Sequence, residues 1–178
     1  SANSGSFAPD TTLPAGWYQV LPEDYSEPVY DRGHMCPSGD RTNTQTNNDY
    51  TFLMTNMIPQ LPANNQGPWV DLENYCRTLA SQGNEIYIFS GGYGQHTTIG
   101  STPQNRIVVP THTWKVVLVL PNGNNDLARA SSKNTRAFGV IMSNVSISQS
   151  APWRNFRTTV DAVEYLTGYD FFNLIPKN

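Results

Sequence analysis

Four consecutive residues, Asp31-Arg32-Gly33-His34, bring a carboxylate, a guanidinium and an imidazole together around a glycine that lets another group approach closely. Hydrolysis of a phosphodiester needs such parts: an activated water, positive charge for the non-bridging oxygens, and an acid or cation for the leaving oxygen. His34, with an ordinary pKa of about 6.5, is the best general base at neutral pH. Arg32, two residues away, is a natural clamp for a phosphate oxygen. Farther on, Asn65 and Glu73 offer hard oxygen atoms suited to magnesium, which keeps most of its waters and takes one or two protein ligands. Asn65, Trp69 and Glu73 follow at four-residue steps, so Asn65 and Glu73 can face one pocket on a helix.

Taken singly, each residue has a plainer reading. Asp31 to His34 alone is a turn with a salt bridge, Asn65 alone is a helix cap, and Glu73 with Arg77 is a solvated i,i+4 pair worth a few tenths of a kcal/mol. Trp69 reads as core rather than as a base-stacking platform. His96 and His112 read as ordinary loop or surface histidines.

The elements that must carry these residues follow from pattern. Trp17 to Leu21 reads as a short strand, residues 37–48 as a polar loop, and Tyr50 to Ile58 as a β-type run ended by Pro59. After a polar loop, Gly67-Pro68 opens a helix over Trp69 to Ala80, with Trp69, Leu72, Cys76 and Leu79 as its buried stripe and Gly83 as its stop. Glu85 to Ser90 is a strand leading into a Gly91-Gly92-Tyr93-Gly94 turn. Arg106 to Val109, Thr113 to Leu120 and Thr135 to Met142 are further strands, the second apolar on both faces and therefore central. A short helix over Val160 to Leu166 closes at Thr167-Gly168.

With 178 residues the chain fits one domain that buries a real core without metal or disulfide staples. Its low charged fraction, 14%, beside abundant Asn, Gln, Ser, Thr, Gly and Pro suits an exported protein, so a secreted or periplasmic location is expected. A net charge of -3 excludes a histone-like protein that grips nucleic acid by bulk attraction, but an acidic protein can still carry a positive cleft. No apolar run has the length of a membrane span, and no membrane partner is expected. The two cysteines, Cys36 and Cys76, match no zinc pattern. One disulfide and two free buried thiols both stay open; a bridge would brace His34 against the helix that carries Glu73.

The motifs Asp31-Arg32-Gly33-His34, Thr55-Asn56-Met57-Ile58-Pro59-Gln60 and Asn64-Asn65-Gln66-Gly67-Pro68-Trp69 with Leu72-Glu73 resemble, in order and spacing, the sugar-non-specific DNA/RNA endonuclease family. This is the ββα-metal group of bacterial secreted nucleases and mitochondrial endonuclease G. Thr12 to Trp17, Pro110 to Leu120 and Leu166 to Phe171 extend the resemblance, to the cyanobacterial branch, over nearly the whole chain.

The resemblance implies a mixed α/β (α+β) domain over residues 1–178, with a mainly antiparallel central sheet flanked by helices and a ββα-metal site. His34 would be the general base and Asn65 the one direct ligand of Mg2+, Mn2+ or another divalent cation. Glu73 would hold a metal-bound water, Arg32 would bind the scissile phosphate, and Arg77 would add charge to the same wall. Asp31 and Asn56 match positions that shape the site. The expected partners are DNA and RNA, single- or double-stranded, cut endonucleolytically to 5′-phosphates, with a protein inhibitor left open. One departure stands out: the family places a phosphate-binding arginine upstream, near Asn3 here, yet no arginine precedes Arg32. The alignment shifts there, another cation substitutes, or an upstream segment supplies it. A nucleic-acid-binding protein with impaired turnover and a phosphodiesterase acting on small diesters are the alternatives.

Overall fold

The computed structural model describes residues 5–25, 29–100, 102 and 107–175. The region near Asn3, where the family resemblance would put an upstream arginine, lies outside these residues, as does Arg106. β1 (Asp31–His34) and β2 (Met57–Gln60) form an antiparallel two-stranded hairpin, with Arg32 opposite Pro59 and His34 opposite Met57. α1 (Gln45–Tyr50) lies between them, its first turn capped by the Thr44 hydroxyl accepting from the Asn47 amide. That cap makes the C-terminal part of the expected polar loop helical.

Two strand expectations fail here. The run Tyr50 to Ile58 holds only the start of a strand: Tyr50 ends α1, Met54–Asn56 is a 3-10 turn, and β2 begins at Met57 and continues through Pro59. Proline is tolerated because a two-stranded hairpin leaves half of its backbone groups without a ladder partner. Trp17 to Leu21 forms no strand at all. Trp17 and Tyr18 are exposed, the Tyr18 hydroxyl donates to Asp24 Oδ2, and the chain passes into a 3-10 turn at Pro22–Tyr25. Aromatic β propensity expresses itself only where a partner edge exists.

α2 (Pro62–Asn64) opens the helical region earlier than the Gly67-Pro68 signal suggested, and Asn65–Trp69 forms a widened turn leading into α3 (Val70–Ser81). The kink falls at Gly67, whose φ of -119° and ψ of -117° are non-helical. A side chain there would collide with the Gln149 carbonyl, so this glycine lets the helix start sit close against the 149–156 segment. α3 ends where expected, with Gly83 at φ +85°.

β3 (Asn84–Tyr93), β6 (His112–Pro121), β7 (Arg136–Ser143) and β8 (Arg157–Thr158) form the main sheet in the order β3-β6-β7-β8, every pair antiparallel. β4 (Thr97–Ile99) and β5 (Ile107–Val109) make a separate antiparallel pair. α4 (Asp126–Arg129) lies in the β6–β7 connection, and α5 (Val160–Thr167) follows β8. β3 runs on through Gly91, Gly92 and Tyr93, which sequence assigns to a turn; bare glycines there make room for the Trp114 ring and Pro110 across the strand.

The mainly antiparallel sheet expected from the sequence is thus the one formed, and β6 is one of its two inner strands. β6 is buried on both faces because each is covered by a helix. Trp69, Leu72, Cys76 and Leu79 pack on Val117, Val119, Phe138, Val140 and Met142, while α5 places Val163 against Trp114 and Val116. Fully burying each such aliphatic side chain is worth roughly 1.5–3 kcal/mol. The hairpin has its own smaller cluster of Tyr25, Met54, Met57, Ile99 and Val109.

Buried amides lock the hairpin and the helix start to the sheet. Asn144, wholly buried, donates to the Pro59 and Pro110 carbonyls and accepts from the Leu61 amide. Asn64, also wholly buried, donates to Thr113 Oγ1 and to the Ser143 carbonyl.

Candidate active site

His34 ends β1, and its ring is fixed by aromatic packing. Phe52 meets it edge-on with ring centroids 5.0 Å apart, and Phe7 lies 6.0 Å away. Trp69 Nε1 donates to the His34 backbone carbonyl at 3.3 Å, tying the strand end to the helix that follows. Burial pulls the His34 pKa below its ordinary value, so the neutral, proton-accepting form prevails at neutral pH.

The metal half of the site faces it. His34, Pro37, Ser38, Gly39, Asn65, Gln66, Val70, Glu73 and Arg77 line one cavity of about 560 Å³. Asp31 Oδ2 accepts from both Asn65 Nδ2 and Gln66 Nε2 at 2.8 Å. With its nitrogen committed to Asp31, the Asn65 amide leaves its oxygen as the ligating atom. Glu73, about two turns further along, is 7% exposed, and its Oε1 is enclosed without a hydrogen-bond donor.

This donor set fits a hard divalent cation: one amide oxygen oriented by a carboxylate, and a second carboxylate lining the same cavity. Among the described residues no cluster of three or more His, Cys, Asp or Glu could hold a metal ion. Any cation here would therefore rely on Asn65, on Glu73 and on water.

Beneath Glu73 lies a residue that sequence reading passed over. Lys115, in the middle of β6, is completely buried, and its Nζ lies 3.6 Å from Glu73 Oε1 and 4.1 Å from the Trp69 ring centroid. Burial pushes the Glu73 carboxyl up and the Lys115 amine down, and each charge opposes the shift of the other. The signal was a lone lysine inside a run otherwise apolar on both faces. Asn144, Asn64 and the Phe52–His34 contact were passed over too, because long-range pairing has no local signature.

The structure brings most of the sequence-derived site residues together. Arg77 lines the cavity, but its Nη1 pairs with Asp40 Oδ1 at 2.9 Å and its Nη2 donates to Asn74 Oδ1. Arg32 shares a strand face with His34 without reaching the cavity wall. Its Nη2 donates to the Pro22 carbonyl at 2.7 Å, and its guanidinium stacks 4.9 Å from the Phe7 ring centroid. Asn56 donates to the Cys36 and Thr51 carbonyls and accepts from the Cys36 amide, fixing the turn after His34.

Cys36 and Cys76 are free thiols, so the bridge between hairpin and helix does not form. Cys76 is instead part of the apolar stripe of α3, buried against the sheet, and burial pushes its thiol pKa up to about 11.

A β-hairpin ending in a half-buried imidazole, crossed by a helix that presents an amide and a carboxylate to the same cavity, is the ββα-metal nuclease architecture. A solved structure of the EndoG/EndoGI complex shares it, with a TM-score of 0.79 and 26% identity over 97% of this chain and 71% of that one. The sequence profile of the DNA/RNA non-specific endonucleases matches residues 1–178, and the chain belongs to that family.

Among its relatives, a nuclease of Nostoc sp. is 46% identical over 97% of this chain and 61% of its own length. Nuclease C1 of Cunninghamella echinulata is 34% identical over 94% of this chain and 66% of its own. Bovine mitochondrial endonuclease G is 26% identical over 95% and 56%. The chain thus spans about half to two thirds of the length of the curated relatives it matches.

Proposed function

We propose that this protein is a metal-dependent, sugar-non-specific endonuclease that hydrolyses phosphodiester bonds in DNA and RNA. The observation that carries the reading is the single cavity shared by His34, Asn65 and Glu73. His34, neutral through burial, takes the proton from the attacking water. Asn65 would offer its amide oxygen to the cation, and Glu73 would hold one of the cation's waters. A divalent cation such as Mg2+ supplies positive charge for the phosphate and the leaving oxygen.

Arg77 supplies charge from the cavity wall, with the substrate phosphate competing against Asp40 for its guanidinium. Arg32 reaches the phosphate by exchanging the Pro22 carbonyl for it. Contacts to the backbone rather than to base edges would give low base specificity on DNA and RNA alike, and departure of the 3′ oxygen would leave 5′-phosphate products.

The test is cleavage of supercoiled plasmid and of RNA with Mg2+, with Mn2+ and with chelator. His34→Ala should lose roughly 10²–10⁴-fold in rate. Asn65→Ala should lose metal-dependent cleavage while keeping the fold. Cleavage by either variant at the wild-type rate would sink the assignment, and rapid turnover of a small chromogenic diester with intact plasmid would favour a phosphodiesterase instead.

Action outside the cytoplasm, in the medium or periplasm, belongs to this proposal on compositional grounds, and fractionation of the source cells tests it. A protein inhibitor is proposed by likeness to the EndoG/EndoGI complex, and a pull-down with the His34→Ala variant tests it.

A further inference from the structure

The two halves of the site need something to hold them in register, and with both thiols free that tie is not covalent. A buried side chain occupies the junction. Lys115 lies on the face of β6 that also presents Val117 and Val119 to α3, and it is wholly inaccessible to solvent. Its ammonium meets three segments at once. Nζ is 3.6 Å from Glu73 Oε1 on α3, 3.4 Å from the backbone carbonyl of Met35, and 4.1 Å from the centroid of the Trp69 ring at the start of the helix.

Met35 is the residue after His34. Its carbonyl also accepts from Ser90 Oγ at 3.0 Å, and Ser90 is the cross-strand partner of Lys115. The Trp69 ring on which the ammonium rests donates through Nε1 to the carbonyl of His34 itself.

A methionine or leucine would fill this volume without the cost of burying a charge, and replacing buried ions by apolar groups is often neutral or stabilising. Packing alone therefore does not account for a lysine here. Its contacts do: one end of the base-bearing strand, one carboxylate of the metal half, and the ring that links them.

We propose that Lys115 is a positioning residue that fixes the Glu73 carboxylate relative to the His34 strand end and so sets where a cation held through Asn65 and Glu73 would sit relative to the base. It touches neither substrate nor cation and acts through Glu73. The inference rests on the metal-site reading above.

The test is a double-mutant comparison of Lys115→Met alone and on a Glu73→Gln background, reading Mn2+ affinity by calorimetry, plasmid cleavage at saturating Mn2+, and thermal midpoint. Lys115→Met should weaken Mn2+ binding roughly 10–100-fold and slow cleavage by a similar factor, as loss of an outer support of a metal site does. On the Glu73→Gln background the same change should alter Mn2+ affinity less than about twofold, because the residue it acts through is already gone.

An equal fold-loss on both backgrounds, or wild-type affinity and rate in Lys115→Met, would overturn the proposal. Should Lys115→Met fail to fold, Lys115→Gln, which removes the ammonium, takes its place: it should still weaken Mn2+ binding, and less on the Glu73→Gln background, while an equal fold-loss on both or wild-type affinity and rate overturns the proposal. Asn65→Ala run alongside reports on the metal site as such, so failure of that reading is visible separately.

Discussion

The Asn65 amide and the Asp31 carboxylate are joined by a 2.8 Å hydrogen bond that crosses from the helix start to the first strand of the hairpin. Asp31 also accepts from Gln66, so one carboxylate oxygen fixes two successive amides at the cavity edge. Asp31→Ala should let the Asn65 amide rotate and should raise the Mg2+ concentration needed for half-maximal cleavage about 10–100-fold, with little change in thermal midpoint. A Mg2+ titration of plasmid cleavage measures this, and an unchanged midpoint of that titration would show that Asp31 does not orient the ligand.

Burial of His34 has a pH signature. With its folded pKa below about 6.5, the neutral base persists in mildly acidic solution, so the acid limb of the cleavage rate should fall below the ordinary imidazole range. The stability consequence has the same window. Below the unfolded value the unfolded chain binds the proton that the folded chain refuses, so stability conferred by the neutral ring is complete above about 6.5 and is lost as pH falls. Replacing His34 by Phe should flatten this part of a stability-against-pH curve obtained from urea melts.

Arg77 is partly exposed and shares its charge with Asp40. Arg77→Ala should weaken substrate binding more than it slows chemistry, with a smaller salt dependence of KM, the slope falling by about one phosphate contact. Asp40→Asn should act in the opposite direction at low salt by freeing the guanidinium. KM measured across an ionic-strength series distinguishes the two.

The cysteines should behave as thiols. Reductant should leave the thermal midpoint unchanged, and both thiols should titrate with a chromogenic disulfide in denaturant. Cys76, whose pKa is pushed up to about 11, should react far more slowly than Cys36 in the native protein. Its folded value lies above the ordinary 9.0, so the contribution of the neutral thiol is complete below about pH 9 and declines as pH rises toward 11. Over that interval the loss is about 2–3 kcal/mol. Cys76→Ala should narrow the difference between the pH 7 and pH 10 midpoints.

Asn144 ties β2 to the β5–β6 corner through three hydrogen bonds to backbone groups. Asn144→Ala strands the Leu61 amide and two carbonyls, and should cost about 2–4 kcal/mol in urea melts at typical penalties for unmet buried groups. Cleavage should fall as well, because the hairpin that carries His34 loses its anchor.

Sequence reading recovered best what is local. The α3 stripe of Trp69, Leu72, Cys76 and Leu79, its stop at Gly83 and the inner position of β6 all stand in the structure, because helical periodicity and two-sided burial are written along the chain. The failures share one cause. Trp17 to Leu21 has strand composition without a partner edge, and Gly91-Gly92 has turn composition inside a ladder whose neighbours, Trp114 and Pro110, need the space. Composition expresses an element's preference, and neighbours distant in sequence decide whether it is met.

The same division runs through Asp31-Arg32-Gly33-His34. Residue types and order alone pointed to phosphate chemistry, to His34 as the proposed base and to Asn65 and Glu73 as the residues that would hold a cation and its water, since those expectations follow from acid–base character, donor type and spacing. Tertiary structure alone decided that Asp31 serves Asn65, that Arg32 rests against Phe7, that Arg77 is shared with Asp40, and that Lys115 rather than a Cys36–Cys76 bridge joins the two halves. Each is a contact between residues more than twenty positions apart, set by how β1, α3 and β6 pack together and by the need to give buried polar groups a partner.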